Sequence, residues 1–137
     1  MEFGEPDALY LNDGTGRFTA VPWTEGKFLD EDGRPIGSAP KDWGLSAAFH
    51  DLNGDGAPDL YVCNDNVSPD RIWINSGKGT FRLVDPLSFR HTSRSSMGVD
   101  FADINRDGYD DLMVVDMLAH DHAQRMIQLV KDRLYRP

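Results

Sequence analysis

Two segments of this chain, 51–60 and 103–112, spell one pattern, D-x-N-x-D-G-x-x-D-L, 52 residues apart. Asp51, Asn53, Asp55 and Asp59 carry the side-chain oxygens of the first, and Asp103, Asn105, Asp107 and Asp111 those of the second. Side chains at positions 1, 3 and 5 converge on one point only if the backbone curls tightly. Gly56 and Gly108, at position 6, permit that curl because glycine reaches positive φ without steric cost. Position 7, Ala57 or Tyr109, offers a backbone carbonyl. With position 9 each loop presents up to five donor groups, all oxygen, so the expected cofactor is Ca2+ at two sites. Magnesium is disfavoured, since it keeps several of its own waters. One Asp-Gly turn would need no ion; two copies with the same internal spacing argue for one.

The flanks of the loops exclude the commonest helical calcium motif. An EF-hand needs a bidentate Glu at position 12 between two helices, whereas position 12 is Val62 in one loop and Val114 in the other. Leu45 to Phe49 and Met97 to Phe101, which precede the loops, alternate at period two. Leu60 to Cys63 and Leu112 to Val115, which follow, are short apolar runs of the kind found in strands buried on both faces. The local unit is strand, acidic loop, strand.

A second repeat interleaves with the first. Residues 6–18, PDALYLNDGTGRF, match residues 69–81, PDRIWINSGKGTF, at the Pro, the Asp, the Asn, both Gly and the Phe. Each reads as a β-hairpin whose Asn-x-Gly-x-Gly turn tolerates positive φ. Strand, loop, strand, hairpin then makes a four-stranded antiparallel sheet of about fifty residues, the size of one propeller blade. The loops repeat at 52 residues and the hairpins at 63, so 11 extra residues must lie between the first hairpin and the first loop. They fall within Glu25 to Lys41, a Gly-, Pro- and charge-rich stretch expected to be an exposed loop.

The alternation of D-x-N-x-D-G-x-x-D-L with L-Y-L-N-x-G-x-G-x-F resembles the FG-GAP/VCBS repeats of integrin-α-type β-propellers. Val62 to Asp65 before Pro69-Asp70, and Val115 to Leu118, are most similar to the bacterial branch that often carries an ASPIC/UnbV domain. The resemblance covers nearly the whole chain. It implies that residues at positions 1, 3, 5, 7 and 9 are the ion ligands, and that the protein acts outside the cytoplasm: periplasmic, surface-bound or secreted.

The expected fold is therefore all-β, part of a β-propeller of about two and a half four-stranded antiparallel blades, with a short C-terminal α-helix. Residues 1–22 form the outer hairpin of a first blade, and 23–42 an inter-blade insertion loop. A complete blade with its calcium loop occupies 43–86, and 87–118 give the inner strands and calcium loop of the next. The remainder, 119–137, is a helical insertion in which Ile127, Val130 and Leu134 share one side. A closed propeller needs at least four blades. The remaining blades are expected in a longer protein, or alternatively copies of the chain assemble a ring in which the N-terminal hairpin supplies strands that the last unit lacks.

A net charge of −9 with no basic stripe argues against nucleic acid. Two divalent ions would reduce it to −5. At ten times Kd each would add about 1.4 kcal/mol by mass action, and affinities of the weak extracellular class fit a site where calcium is abundant. No signal peptide or membrane span is visible, and the single Cys63 lies in an apolar strand, which suits a small core residue better than a nucleophile.

Enzymatic readings have less to stand on. His120, Asp121 and His122 are zinc-ligand types, but residues two apart do not share a helix face, and an acid there serves as a helix cap. His50, Ser95 and Ser96 show no catalytic spacing. Trp73 and Tyr10 fill the same hairpin position, which favours packing over a glycan platform; Trp23 and Trp43 are the candidates for exposure. The reading is a non-enzymatic, calcium-binding scaffold for protein or glycan recognition. The alternative is the propeller portion of a larger extracytoplasmic enzyme whose catalytic residues lie outside this chain.

Overall fold

The computed structural model describes residues 4–65, 68–89, 92–93, 95–117 and 120–123. Among the described residues nine strands carry the fold: β1 Tyr10–Asn12, β2 Phe18–Ala20, β3 Phe28–Leu29, β4 Gly44–His50, β5 Asp59–Asn64, β6 Arg71–Asn75, β7 Phe81–Leu83, β8 Ser96–Ala102 and β9 Asp111–Asp116. A single 3-10 turn, Pro86–Phe89, follows β7. The strands form a two-stranded sheet β1-β2, a five-stranded sheet β3-β7-β6-β5-β4 and a two-stranded sheet β8-β9. The chain is all-β, a hairpin, one complete four-stranded antiparallel blade and the inner half of another, as expected for part of a propeller.

Both sequence repeats reappear in the strand registers. His50 faces Asp59 across the first acidic loop as Ala102 faces Asp111 across the second, and the bulge between Gly44 and Ser46 recurs between Ser96 and Gly98. Asn12 pairs with Phe18 as Asn75 pairs with Phe81. The side chain of Asn12 accepts the Gly14 amide at 2.9 Å and that of Asn75 the Gly77 amide at 3.0 Å, so the same residue caps both hairpin turns.

Apolar residues of the complete blade serve two contacts. On one face Leu60, Trp73, Phe81 and Leu83 bury themselves with Val21 and Phe28, and Leu9 packs against that cluster. On the other, Tyr61, Cys63 and Ile72 meet Val99, Phe101 and Val114 of the next half-blade, as alternation along β5 requires. Cys63 is fully buried, and its thiol is pushed up to about 11, chiefly by burial and then by the charge of Asp70. It is an unreactive core residue.

The stretch expected to be an exposed inter-blade loop is partly core. Phe28 is fully buried, stacked on Trp23 with ring centroids 3.9 Å apart and edge-on to Trp73 at 5.2 Å. Its strand, β3, runs parallel to β7 and covers the outer edge of the blade, an edge that would otherwise be open to another chain. Burial of one phenylalanine outweighs the surrounding turn signals, which hold only for Asp30 to Arg34, where Asp30 accepts the Arg34 amide at 2.7 Å. Trp23, expected at the surface, is half-buried and donates its indole N–H to the Asp7 carbonyl at 2.7 Å; Trp43 is exposed.

The expected C-terminal helix falls almost wholly on residues 124–137, outside the described residues. At its predicted start Asp121 accepts the Ala123 amide at 2.8 Å. Among the described residues no helix is long and apolar enough to cross a membrane.

Candidate metal centre

Each acidic loop joins the two inner strands of its unit, and the loops are built alike. In the first, Oδ1 of Asp51 accepts the amides of Gly54 at 2.8 Å and Asp55 at 3.1 Å, and Oδ2 accepts the Gly56 amide at 2.8 Å. The Asn53 carbonyl oxygen also accepts the Asp55 amide, at 2.9 Å. Asp55 accepts the Ala57 amide and the Asn53 side-chain N–H. The second loop repeats this arrangement: Asp103 accepts the amides of Asp107 and Gly108, Asn105 that of Asp107, and Asp107 that of Tyr109. Gly56 and Gly108 adopt φ of 83° and 89°, the left-handed curl that position 6 demands.

These amides favour ionised carboxylates. The Gly56 N–H, foremost among several, holds Asp51 below the usual carboxylate range, and the Tyr109 N–H does the same for Asp107. Oxygen donors that are already charged at neutral pH are what a hard divalent ion requires. The donor chemistry thus fits calcium.

Position 9 does something more. Asp59 is fully buried, its Oδ2 accepting the Leu52 amide at 2.9 Å and its Oδ1 the Asn75 amide at 2.7 Å. One carboxylate therefore fastens the loop's start to the hairpin strand β6. Asp111 accepts the matching Ile104 amide at 3.0 Å; among the described residues no hairpin amide joins it. The three aspartates of a loop are held to separate amides: among the described residues no group of three or more acidic, His or Cys side chains is drawn close enough to hold an ion. The Asn oxygen and the position 7 carbonyl would supply the other donors of each loop to an ion.

Two features escaped the sequence pattern. His50, one residue before Asp51, places Nε2 2.7 Å from Asp110 Oδ2, one residue before Asp111, and its ring lies parallel to Phe101 with centroids 4.6 Å apart. The loops of successive blades are thereby tied together. Arg106 sits at φ 64°, in the place where the first loop has Gly54. No periodicity announces either.

A family model of the FG-GAP-like repeat matches residues 4–62 and again 51–114. The chain belongs to the FG-GAP-like repeat family. The matches overlap on the first acidic loop and the strand after it, and both end at position 12 of a loop, Val62 and Val114. No curated protein and no solved structure matches the chain. In this FG-GAP-like repeat protein each matched stretch takes in an outer hairpin followed by a loop-bearing inner pair.

Proposed function

We propose that this FG-GAP-like repeat protein binds one calcium ion in each acidic loop, through Asp51, Asn53, Asp55, Ala57 and Asp59 and through Asp103, Asn105, Asp107, Tyr109 and Asp111. It acts outside the cytoplasm as a non-enzymatic scaffold for protein or glycan recognition, akin to the bacterial VCBS-repeat proteins. The observation that carries the reading is the duplicated cage of amides around positions 1, 3 and 5, which orients hard oxygen donors identically in two loops of otherwise different sequence. Each loop concentrates three aspartates in nine residues, whose mutual repulsion a divalent ion relieves. The ions then brace the inner strands.

Calorimetric titration tests the reading, with two ions bound per chain as the expected result. Thermal unfolding in calcium against chelator should show a rise of roughly 5 °C per occupied site at ten times Kd. Asp55→Asn and Asp107→Asn, which can keep the backbone contact to the Ala57 or Tyr109 amide and lose the charge, should each abolish one site. A chain that takes up no calcium at millimolar concentration overturns the assignment.

A further inference from the structure

The two acidic loops differ at one residue that decides the chemistry of its neighbour. Asn53 and Asn105 hold position 3, and both are exposed. Their side chains are held alike. Oδ1 accepts the amide of the position 5 aspartate at 2.9 Å in either loop, and Nδ2 donates to Oδ2 of that aspartate, at 3.0 Å from Asn53 and 2.9 Å from Asn105. Gly54 follows Asn53, whereas Arg106 follows Asn105. No other asparagine of the chain precedes a glycine.

An asparagine side chain is one ring closure away from the next main-chain nitrogen. Attack of the Gly54 nitrogen on Cγ of Asn53 forms the N–Cγ bond of a five-membered succinimide. The amide proton passes to solvent hydroxide, the Cγ–Nδ2 bond breaks, and Nδ2 takes a proton from water and leaves as ammonia. Water then opens the ring, at Cγ to give aspartate or at the main-chain carbonyl to give isoaspartate. Nothing is oxidised or reduced, and solvent is the only co-reactant. The Asp55 amide already donates to the oxygen on which negative charge develops during the attack. Gly54 stands at φ 76°, and a Cβ built on it would meet nothing within 4 Å, so the ring has open space in which to form. The Gly54 N–H must first leave Asp51 Oδ1, which accepts it at 2.8 Å in an exposed loop where such a bond adds little net stability.

We propose that Asn53 is a modification site, deamidating in the folded protein to aspartate and isoaspartate, and that Arg106 spares Asn105 the same reaction. The Arg106 side chain crowds the ring that glycine leaves open, and a barrier difference the size of a left-handed steric penalty is roughly tenfold in rate. Aspartate at position 53 sets a carboxylate where Nδ2 now donates to Asp55 Oδ2, so an attraction becomes a repulsion. Isoaspartate adds a methylene to the main chain and displaces the Gly54 and Asp55 amides that Asp51 accepts. The first loop thus changes with age while the second keeps its form. The inference rests on the two asparagine neighbourhoods and needs no ion in either loop.

Peptide mapping by mass spectrometry, on the whole chain kept folded in chelator at mildly alkaline pH, tests the proposal. Conversion of Asn53 should outrun that of Asn105 roughly tenfold, rise with hydroxide concentration and release ammonia in step with the acidic product. Isomerisation at the neighbouring Asp55 releases no ammonia and leaves the mass unchanged, so the two reactions are told apart. Arg106→Gly should bring Asn105 to within severalfold of Asn53, and Gly54→Arg should slow Asn53 roughly tenfold with Asn105 unaffected. Asn53 that reacts only when the chain is unfolded in urea, or two asparagines that react at equal rates in the folded unsubstituted chain, overturns the proposal; that chain decides the matter even if a variant fails to fold.

Discussion

Asp70 reaches from the complete blade to the half-blade beyond it, where its Oδ2 accepts the hydroxyl of Ser96 at 2.7 Å. The same oxygen accepts the Tyr61 hydroxyl at 2.7 Å and Oδ1 the Asn64 amide at 2.9 Å; all four residues are buried. A carboxylate survives burial only with such partners. Asp70→Ala strands three buried donors and is expected to lower the unfolding free energy by ~3–5 kcal/mol. A double-mutant cycle with Ser96→Ala, followed by urea denaturation, should return a coupling of about 1–2 kcal/mol. Coupling near zero would mean that the blades are joined by apolar contact alone.

The preceding unit lacks this bond. Asp7 precedes Asp70 by 63 residues and Gly44 precedes Ser96 by 52, and a Cβ built on Gly44 would stand 2.9 Å from the Asp7 carboxylate. The carboxylate is there but the hydroxyl is not. Asp7 is accordingly raised above the usual range, first by burial and then by the Asp42 charge, with Arg71 opposing. The native state holds this proton more tightly than the unfolded chain, so the group's penalty at neutral pH is relieved as pH falls through its folded value. A Cβ at that distance is too close, so the Asp7 side chain must swing back by a few tenths of an ångström; with that shift Gly44→Ser should supply the missing donor, stabilise the fold by up to about 1 kcal/mol at pH 7 and bring Asp7 down towards the ordinary value, as followed by NMR titration.

Position 9 separates structure from the proposed ion binding. Without calcium, Asp59→Ala exposes the loss of two amide bonds at a fully buried carboxylate and should cost ~2–4 kcal/mol, while Asp111→Ala, with one amide bond at a half-buried site, should cost about 1 kcal/mol. Unfolding of both variants in chelator checks this. Equal losses would show that the β6 amide adds nothing to Asp59.

The paired motifs made the strands, their order and the acidic loops legible, because residues such as Gly56, Gly108, Asn12 and Asn75 act through local backbone geometry. Phe28 was not legible. Its neighbours are turn residues, and only the approach of Trp23, Trp73 and Phe81 in three dimensions makes it core. The second role of Asp59 was hidden for the same reason, since the Asn75 amide that it accepts lies 16 residues away. Phe28→Ala is therefore expected to destabilise the protein by ~3–5 kcal/mol, the penalty of a large aromatic core truncation. A chemical melt indistinguishable from that of the unsubstituted chain would return residues 25–41 to the status of a surface loop.

Arg106 is the one non-glycine residue at positive φ among the described residues, 64°. In the first loop Gly54 holds the equivalent position at 76°, and the side chain of Arg106 gains nothing from the conformation, since the residue is exposed. A left-handed L-residue costs roughly 1–2 kcal/mol, against which glycine's greater freedom in the unfolded chain weighs about 0.5–1 kcal/mol. Arg106→Gly should thus raise stability by ~0.5–1 kcal/mol, while Gly54→Arg should lower it by a similar amount. Because the curl brings the Asp107 and Gly108 amides onto Asp103, Arg106→Gly should also preserve or improve the calcium uptake proposed for the second loop. Paired melts of the two variants read the first effect and calorimetric titration the second; a less stable Arg106→Gly would mean that the arginine, not the backbone, holds that loop.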